Sequence, residues 1–379
     1  MAQETSLKLS DFGVSVNRGF LPDEDPLSIM PCGWEFLDNF GQRLPELIQS
    51  GRLLHEANCL PVPPDYYFAF LTERELQLAW VRYSFIQSAY VHVQENSPRL
   101  ICRNIARPMW LISQVLNKPP ILSYDAYTLN NWKRRNPVGN IEVDNLELIQ
   151  TFIRDSDQDW FILIHVDIEN RAGFAVKSLV QAISAVEAED AVSLGFALLG
   201  INIALSRVLD TMQRMPEGTS PETYYKIRPW IMSFENVIYG GVEEFDGQSQ
   251  SFRGQTGAQT SIFQSLEAGL QMPKLEVNEL ATHLMDMRKY MPEGHRRFIA
   301  EVESRSQVRD FIIRAAPELA DEYNCCVDRI CDFLEIHFDY AVRYIHRQTK
   351  NPKGTGGTDF MKYLKGRLDE RRQNAYIRI

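Results

Sequence analysis

The sequence lacks several features that mark common classes of protein. None of its six cysteines forms a C-x-x-C pair, and no segment approaches the roughly eighteen consecutive apolar residues of a membrane-spanning helix. The cysteine pattern favours free thiols in a reducing compartment over a disulfide framework or a zinc site. The first ten residues lack a basic start followed by an apolar core, so no secretory signal is expected. We therefore expect a cytoplasmic protein with no membrane partner.

The sequence also lacks an excess of positive charge. It carries 40 basic and 50 acidic residues, for a net charge of −10. A general nucleic-acid binder needs a basic face to displace counterions, so nucleic acid is not an expected partner. No Gly-x-Ser-x-Gly, His-Glu-x-x-His or Gly-Lys-Ser/Thr phosphate-loop motif occurs, which removes the corresponding hydrolase, metalloprotease and nucleotide-binding classes.

The sequence is long and apolar enough for two helical domains. It has 379 residues, of which 44% are hydrophobic, and such a length suits two domains, each with its own core. Most apolar residues recur at helical spacing, so we predict an all-α fold with no β-hairpin. Prolines and mixed patterning before Thr151–Asp155 place the domain boundary there, giving a small domain at 1–153 and a large one at 154–379.

Particular segments carry this prediction. Predicted helices cover Trp34–Ser50, a helix launched by the capping box Thr72–Glu75, the almost wholly apolar Ala191–Met212, and about 318–348. The apolar run Trp160–Ile168 is compatible with either a strand or a buried helix. Residues Gly240–Thr260 are rich in Gly, Ser, Gln and Thr, which predicts a long loop.

Two histidines stand in apolar surroundings. His337 interrupts the inward stripe of the last long helix, and His165 interrupts the run Trp160–Ile168. A buried imidazole needs a partner, because an unpaired buried polar group costs about 1–3 kcal/mol. Haem iron would satisfy His337 while its apolar neighbours pack the porphyrin; a backbone carbonyl would satisfy it equally well. Two isolated histidines suit a haem site better than zinc, which takes three or four close ligands.

Two further features are candidates for binding a substrate. Arg228 lies among aromatic residues in Tyr224–Trp230, where a guanidinium can pair with a carboxylate while the rings stack on a planar molecule. The alternative is an arginine packed on aromatic faces with its charge in solvent. The glycine-rich segment Gly354–Thr358 can hold an anion or an amino acid end group with its backbone amides, or it can be a flexible linker.

Several short segments, taken together and in order, resemble the indoleamine 2,3-dioxygenase family over most of the chain. The most specific are Asp286–Pro292, followed closely by Gly294–Arg296, and Lys353–Asp359. Shorter matches are Ala89–Val91, Arg103–Pro108, Pro119–Leu122, Asn131–Lys133 and Ser261–Gln264.

The resemblance implies a two-domain helical fold with haem b in the large domain and His337 as the proximal iron ligand. It implies that dioxygen binds on the opposite face of the haem and adds across the indole C2–C3 bond of L-tryptophan or a related indole. The site residues that it implies, all at matching positions, are Tyr90, Phe161, His165 and Tyr224 lining the substrate pocket, Arg228 on the substrate carboxylate, Thr355 in the closing loop, and Thr256 and Gly257 in the loop at the haem edge.

One position departs from the family pattern. Animal members carry a small serine where this chain has His165, whereas the related tryptophan 2,3-dioxygenases carry a distal histidine that bonds the indole N–H. The pocket therefore resembles a hybrid of the two. Three alternatives remain open at this point: a haem monooxygenase of another indole, a haem- or oxygen-binding sensor without turnover, and a helical protein without haem.

Overall fold

The computed structural model describes residues 7–95, 97–273, 279–348, 354–356 and 374–378, and these form a mainly helical structure. The α-helices are α1 (Glu35–Gln49), α2 (Leu53–Asn58), α3 (Glu73–His92), α4 (Arg103–Val115), α5 (Ser156–Glu187), α6 (Ala191–Gln213), α7 (Met215–Gly218), α8 (Pro221–Ile227), α9 (Ser261–Gly269), α10 (Glu279–Arg288), α11 (Glu293–Arg305), α12 (Val308–Ala315) and α13 (Ala320–Ala341). The prediction of an essentially all-α fold is confirmed.

Two small sheets accompany the helices. Strands β1 (Arg99–Ile101), β4 (Phe234–Tyr239) and β5 (Gln250–Phe252) form one sheet, in which β4 is central, parallel to β1 and antiparallel to β5. Strands β2 (Trp132–Arg134) and β3 (Leu146–Leu148) form an antiparallel pair. Because β2–β3 and β4–β5 are each consecutive antiparallel strands, the expectation of no β-hairpin is wrong. Strand β5 lies within the segment 240–260 that the sequence predicts to be a loop. A strand of three residues is too short to show a periodic pattern, so the sequence gives no signal for it.

The N-terminal helices follow the predicted pattern. The capping box before α3 is present: Thr72 Oγ1 accepts a hydrogen bond from the Glu75 amide at 3.4 Å, and the Glu75 carboxylate accepts one from the Thr72 amide at 2.8 Å. Helix α3 is buried along most of its length. Buried Arg82 on this helix pairs with Asp38 on α1 at 3.0 Å, which ties the two helices together.

The large C-terminal core is a bundle of α5, α6 and α13. The run Trp160–Ile168 belongs to α5, which is 32 residues long, so the helical alternative is the one that occurs. Helix α6 is long and apolar enough, by composition, to cross a membrane. Half of its most apolar window is buried, and it packs on α5 and α13. A buried core helix of a helical bundle also meets this criterion of length and hydropathy.

Helix α13 carries the predicted inward stripe and ends in an irregular turn. Its residues Tyr323, Val327, Ile330 and Leu334 are buried, whereas His337 is half-buried. After Ala341 the helix widens into a π-turn over Val342–His346, in which Tyr344 is again buried. Such π-turns occur frequently at functional sites because they change the direction of side chains at the end of a helix.

The structure also bears on the predicted state of the cysteines and on the packing of the N-terminal segment. All six cysteines are free, as the sequence predicts. Near the N-terminus, Leu7, Leu9, Val14 and Phe20 pack into the same buried cluster as α5, α6 and α13. The segment from Leu7 to Phe20 therefore packs against the large bundle and not among the N-terminal helices. The boundary between residues 153 and 154 remains a prediction; it falls just before the Asp155 N-cap of α5.

Candidate functional site

His337 lies on α13 in a place that the surrounding packing leaves partly open. Ile330 and Leu334, on the preceding turns, are buried, but His337 and Tyr340 are only half-buried. The His337 ring lies nearly parallel to that of Phe333, with 6.4 Å between ring centroids, and Phe333 packs in turn on Phe263 of α9 at 4.2 Å. An aromatic wall therefore extends from the imidazole along one side.

The donor set around His337 fits a porphyrin iron better than a bare metal ion. Within the residues that the structure describes, no group of three or more His, Cys, Asp or Glu side chains comes together as a metal site. A free ion would need several such ligands. Haem supplies four nitrogens itself and takes a single imidazole from the protein, with apolar and aromatic side chains against its faces. The Phe333 ring beside His337, with Phe263 packed behind it, is a side chain of this kind.

A second cluster of rings forms around His165 on α5. The centroid of the Phe161 ring is 4.9 Å from that of His165 and also 4.9 Å from that of Tyr224 on α8. Tyr224 meets Tyr344 of the π-turn at 5.9 Å, and Tyr344 meets Tyr340 of α13 at 5.9 Å. These ring contacts connect the predicted pocket residues to the helix that carries His337. The structure thus brings Phe161, His165 and Tyr224 together, as predicted.

The hydrogen bond of His165 determines which ring nitrogen is available. Its Nδ1 lies 2.7 Å from the carbonyl oxygen of Phe161, so Nδ1 carries the proton and donates it. Burial lowers the pKa of His165 below its ordinary value, because the charged imidazolium loses its hydration. At neutral pH the ring is therefore uncharged, and its Nε2 is a hydrogen-bond acceptor.

Behind His165 lies a buried polar group that the sequence analysis did not identify. Glu169, one turn further along α5, is 1% exposed and accepts a hydrogen bond from Thr260 Oγ1 at 2.6 Å. The Tyr124 hydroxyl lies beside the same carboxyl, and the Tyr124 ring meets His165 edge-on at 6.4 Å. A signal for this group was present in the sequence, since a glutamate within the apolar stripe of a helix must have a polar partner.

Arg228 lies at the other end of the ring cluster. It follows α8 directly and is 8% exposed, and its charge lowers the pKa of neighbouring Tyr224, against the larger upward effect of burial. The Tyr127 hydroxyl is buried near Tyr224 and has no hydrogen-bond partner within the described part of the chain. A buried arginine and an unpaired hydroxyl beside aromatic rings suit a ligand that is both flat and polar.

Two loops meet close to this cluster. The Thr355 carbonyl accepts hydrogen bonds from the amide of Ser233 at 3.2 Å and from its hydroxyl at 2.9 Å. The Ser233 hydroxyl also accepts from the Gly254 amide at 3.3 Å, and Arg253 Nη1 donates to the Gly356 carbonyl at 3.1 Å. Both predicted loops, 253–258 and the described part of 354–358, are therefore held by the segment that follows Arg228.

Gly254 is required for this arrangement. A Cβ atom at this position would overlap the backbone of residues 231–233. Gly257, by contrast, faces open space, with no atom within 4 Å of a Cβ placed there. Thr256 is half-buried next to it and caps the short turn Gly257–Gln259. The open side of Gly257 is compatible with the predicted cofactor contact, which remains a prediction.

The comparisons with known proteins agree with this geometry. A family model described as indoleamine 2,3-dioxygenase matches residues 8–352. Indoleamine 2,3-dioxygenase 1 of Rattus norvegicus is 30% identical, with 95% of this chain and 94% of the rat protein aligned. The chain belongs to the indoleamine 2,3-dioxygenase family. Among other relatives are an indoleamine 2,3-dioxygenase of Aspergillus nanangensis, 28% identical over 98% of both chains, and a 6-hydroxytryptophan 2,3-dioxygenase of Fusarium equiseti, 28% identical over 94% of this chain and 95% of its own.

Family membership decides between several of the alternatives that the sequence left open. The protein is an oxidoreductase that depends on haem, and its family acts on tryptophan or related indoles with dioxygen. The sensor without turnover and the helical protein without haem are therefore not supported. The roles of individual residues and the identity of the indole do not follow from family membership.

The family motif Asp286–Pro292 has a structural role at the site. Asp286 pairs with Arg253 at 3.3 Å, and the Tyr290 hydroxyl accepts a hydrogen bond from the Arg253 amide at 2.8 Å. Arg288 pairs with Glu303 on α11 at 2.6 Å. The motif thus fixes the loop at 253–258 to the helices beneath it.

Tyr90 is the one predicted pocket residue whose observed contacts are elsewhere. Its hydroxyl accepts a hydrogen bond from Asn58 at 3.3 Å and lies near Cys102. Among the described residues, the ring contacts of Phe161 and His165 involve Tyr124 in its place. Its substrate-binding role remains a prediction, and Tyr124 is the tyrosine that the structure places against His165.

A substitution at His337 tests the predicted iron ligand. We expect His337→Ala to lose most of its haem and its Soret band after expression with added haemin, because no other imidazole replaces the bond. His346→Ala is the matched control: His346 is exposed in the π-turn, and this variant should keep haem at the wild-type ratio. The measurement is the Soret absorbance per protein, with far-ultraviolet circular dichroism to check folding. A His337→Ala protein with wild-type haem content and spectrum would contradict the assignment.

Proposed function

We propose that this protein is an L-tryptophan 2,3-dioxygenase that forms N-formylkynurenine, with His337 as iron ligand and Phe161, His165, Tyr224 and Arg228 as the substrate site. The observation that carries the proposal is the neutral imidazole of His165 beside the mutually tilted rings of Phe161 and Tyr224, with a buried arginine at the far end of the ring cluster. Bound haem would supply the activation of dioxygen, and the chain would orient the indole.

His165 suits the indole N–H because its only free nitrogen is an acceptor. Nδ1 is engaged with the Phe161 carbonyl, so Nε2 can accept one hydrogen bond from the substrate. An indole has a single N–H donor, and this contact would fix the rotation of the ring within its plane. The rings of Phe161 and Tyr224, inclined at 50° to each other, are placed to hold its faces and edges.

Arg228 suits the carboxylate of an amino acid. A buried guanidinium forms a bidentate, charge-assisted pair with a carboxylate, and such a pair also fixes orientation. Thr355 lies in the loop that Ser233 holds next to this segment, so the loop can cover the amino acid end of the substrate. Covering the substrate excludes water and keeps the indole oriented while oxygen adds.

Turnover with labelled dioxygen tests the proposal. In the reaction, the indole C2–C3 bond breaks and each carbon receives one oxygen atom, so no external reductant is consumed after the haem has been reduced. We expect ferrous protein with L-tryptophan to form N-formylkynurenine that carries both atoms of ¹⁸O₂, detected by mass spectrometry. Incorporation of one atom would identify a monooxygenase. No product from L-tryptophan with the haem fully loaded, but product from another indole, would reject this substrate.

The carboxylate role of Arg228 can be separated from a role in folding. We expect Arg228→Gln to lower kcat/KM for L-tryptophan by about 30-fold or more, since breaking a buried charge pair costs roughly 2–5 kcal/mol. Tryptamine, which has no carboxylate, should lose much less. Arg207→Gln, a change at an exposed position on α6, is the control and should leave both substrates unaffected. Equal losses for both substrates in Arg228→Gln would rule out the clamp.

The N–H contact of His165 can be tested with a methylated substrate. We expect His165→Leu to lower kcat/KM for L-tryptophan about two- to tenfold, the usual worth of one neutral hydrogen bond. A tryptophan methylated at the indole nitrogen cannot make this bond, so its kcat/KM should change little. The comparison requires steady-state kinetics of both proteins with both substrates. If the two substrates lose activity in parallel, His165 acts by packing and not by hydrogen bonding.

A further inference from the structure

Glu169 is a buried carboxyl group in surroundings that do not suit a negative charge. It is 1% exposed, and its Oε2 has no hydrogen-bond partner among the residues that the structure describes. Its Oε1 accepts from Thr260, and no cationic side chain in the described chain interacts with it. A carboxylate in such a place would lack most of the hydrogen bonds that water gives it, which favours the protonated acid.

The groups that face Glu169 come from three parts of the chain. Tyr124, before α5, places its hydroxyl beside the carboxyl, and Thr260 reaches it from the turn before α9. His165 lies one turn earlier on the same helix, and its ring meets Tyr124. Burial raises the pKa of Glu169 to about 7, and the two hydroxyls only partly offset this effect. Tyr124 itself has a pKa raised by burial and by Glu169, so it stays neutral.

Tyr124 is the physical link between the acid and the substrate pocket. Its backbone amide donates to Gln259 Oε1 at 2.9 Å, and Gln259 Nε2 donates to the Gly254 carbonyl at 3.0 Å. The Tyr124 backbone is thus held by the 253–259 loop, and its hydroxyl lies beside Glu169. Since the edge of the Tyr124 ring meets His165, a shift at the hydroxyl would alter the contact with the imidazole.

We propose that Glu169 is a positioning residue for His165: as a neutral acid it leaves Tyr124 packed against the imidazole, and its ionisation draws the Tyr124 hydroxyl towards the carboxylate, away from the imidazole, and weakens binding of the indole. The neutral acid can donate its own proton to the Tyr124 oxygen or to a buried water, whereas the carboxylate can only accept. Loss of the proton reverses the direction of the hydrogen bond at Tyr124 and leaves an unpaired charge, which draws water or the hydroxyls toward Glu169. The proposal rests on the proposed role of His165.

The sign of the pH dependence follows from the raised pKa. Below about pH 6 Glu169 is protonated and the pocket is in its tight form; above about pH 8 it is ionised. We therefore expect KM of the wild-type enzyme for L-tryptophan to rise with pH across this range by about two- to tenfold, the worth of one hydrogen bond, with a smaller change in kcat. Glu169→Gln is permanently neutral and nearly the same size, so its KM should stay low and independent of pH.

The test combines three measurements on the haem-loaded enzyme. Infrared difference spectra should show a protonated carboxyl C=O band that disappears between pH 6 and pH 8 in the wild type and is missing in Glu169→Gln. The ¹⁵N chemical shifts of the His165 imidazole, recorded in the diamagnetic ferrous carbonyl form and assigned with His165→Gln, should follow the same titration. In Glu169→Gln and Tyr124→Phe they should no longer do so. The KM profile is the third measurement.

A matched control separates Glu169 from other carboxyls. Asp159, at the start of α5, has a pKa that burial raises to about 6, but it does not contact Tyr124 or His165 in the described structure. Asp159→Asn should leave the His165 shifts and the KM profile unchanged. Absence of the Glu169 carboxyl band at pH 6 would overturn the proposal, as would His165 shifts that titrate equally in wild type and Glu169→Gln. Failure to oxidise L-tryptophan, with both spectroscopic results as expected, would instead count against the proposed substrate.

Discussion

The site depends on a change of burial along α13, whose inward stripe is buried as far as Leu334. Tyr323, Val327, Ile330 and Leu334 fill the bundle core, whereas His337, on the next turn, is half-buried. Apolar side chains gain stability from every contact, so a ligand that covers a partly exposed apolar surface adds such contacts. Haem held by His337, as proposed, would cover this surface with an apolar face, and its iron would take the imidazole as a ligand. Haem should therefore contribute to the stability of this bundle as well as to its chemistry.

The other face of the site differs in kind, because burial shifts the pKa values of its polar groups towards their neutral forms. His165 is kept neutral by burial and is oriented by the carbonyl of its own helix. Burial raises the pKa of Glu169, one turn away, to about 7. Two ionisable groups on one helix face, both shifted towards their neutral forms, would keep charge away from an indole bound beside them as proposed. The buried guanidinium of Arg228 lies next to Tyr224, at the end of the cluster proposed for the substrate carboxylate. This distribution of charge would give the substrate a direction.

Much of this arrangement follows from periodicity, because it depends on residues close together in the chain. The stripe of α13, the capping box at Thr72–Glu75 and the wholly apolar α6 are local patterns, and each was confirmed. His337 is a polar residue that interrupts such an apolar stripe, and this made it recognisable as a candidate site residue. The roles of Tyr90, Thr355 and Gly257 are implied by the resemblance alone, and they stay predictions. Resemblance to a family identifies which positions correspond, but it does not show which contacts each residue makes.

What the sequence could not provide are contacts between distant segments. Glu169 and Thr260 are 91 residues apart, and Tyr124 lies in a stretch of short turns with no periodic signal. Only the packing of α9 on α5 brings them together. Strand β5 was missed for a related reason. Its three residues are too few to show a periodic pattern, and they form a strand only by pairing with β4. The polar interior of a helical protein is thus the part that sequence patterns describe least well.

The described parts of the two loops at the site share their attachment. Ser233 holds the Thr355 carbonyl and the Gly254 amide at once, and Arg253 holds the Gly356 carbonyl while paired with Asp286. Ser233 also follows Arg228 by five positions in the chain. A haem edge at the 253–258 loop and a substrate carboxylate at Arg228, both as proposed, would therefore act on the same short segment of the chain.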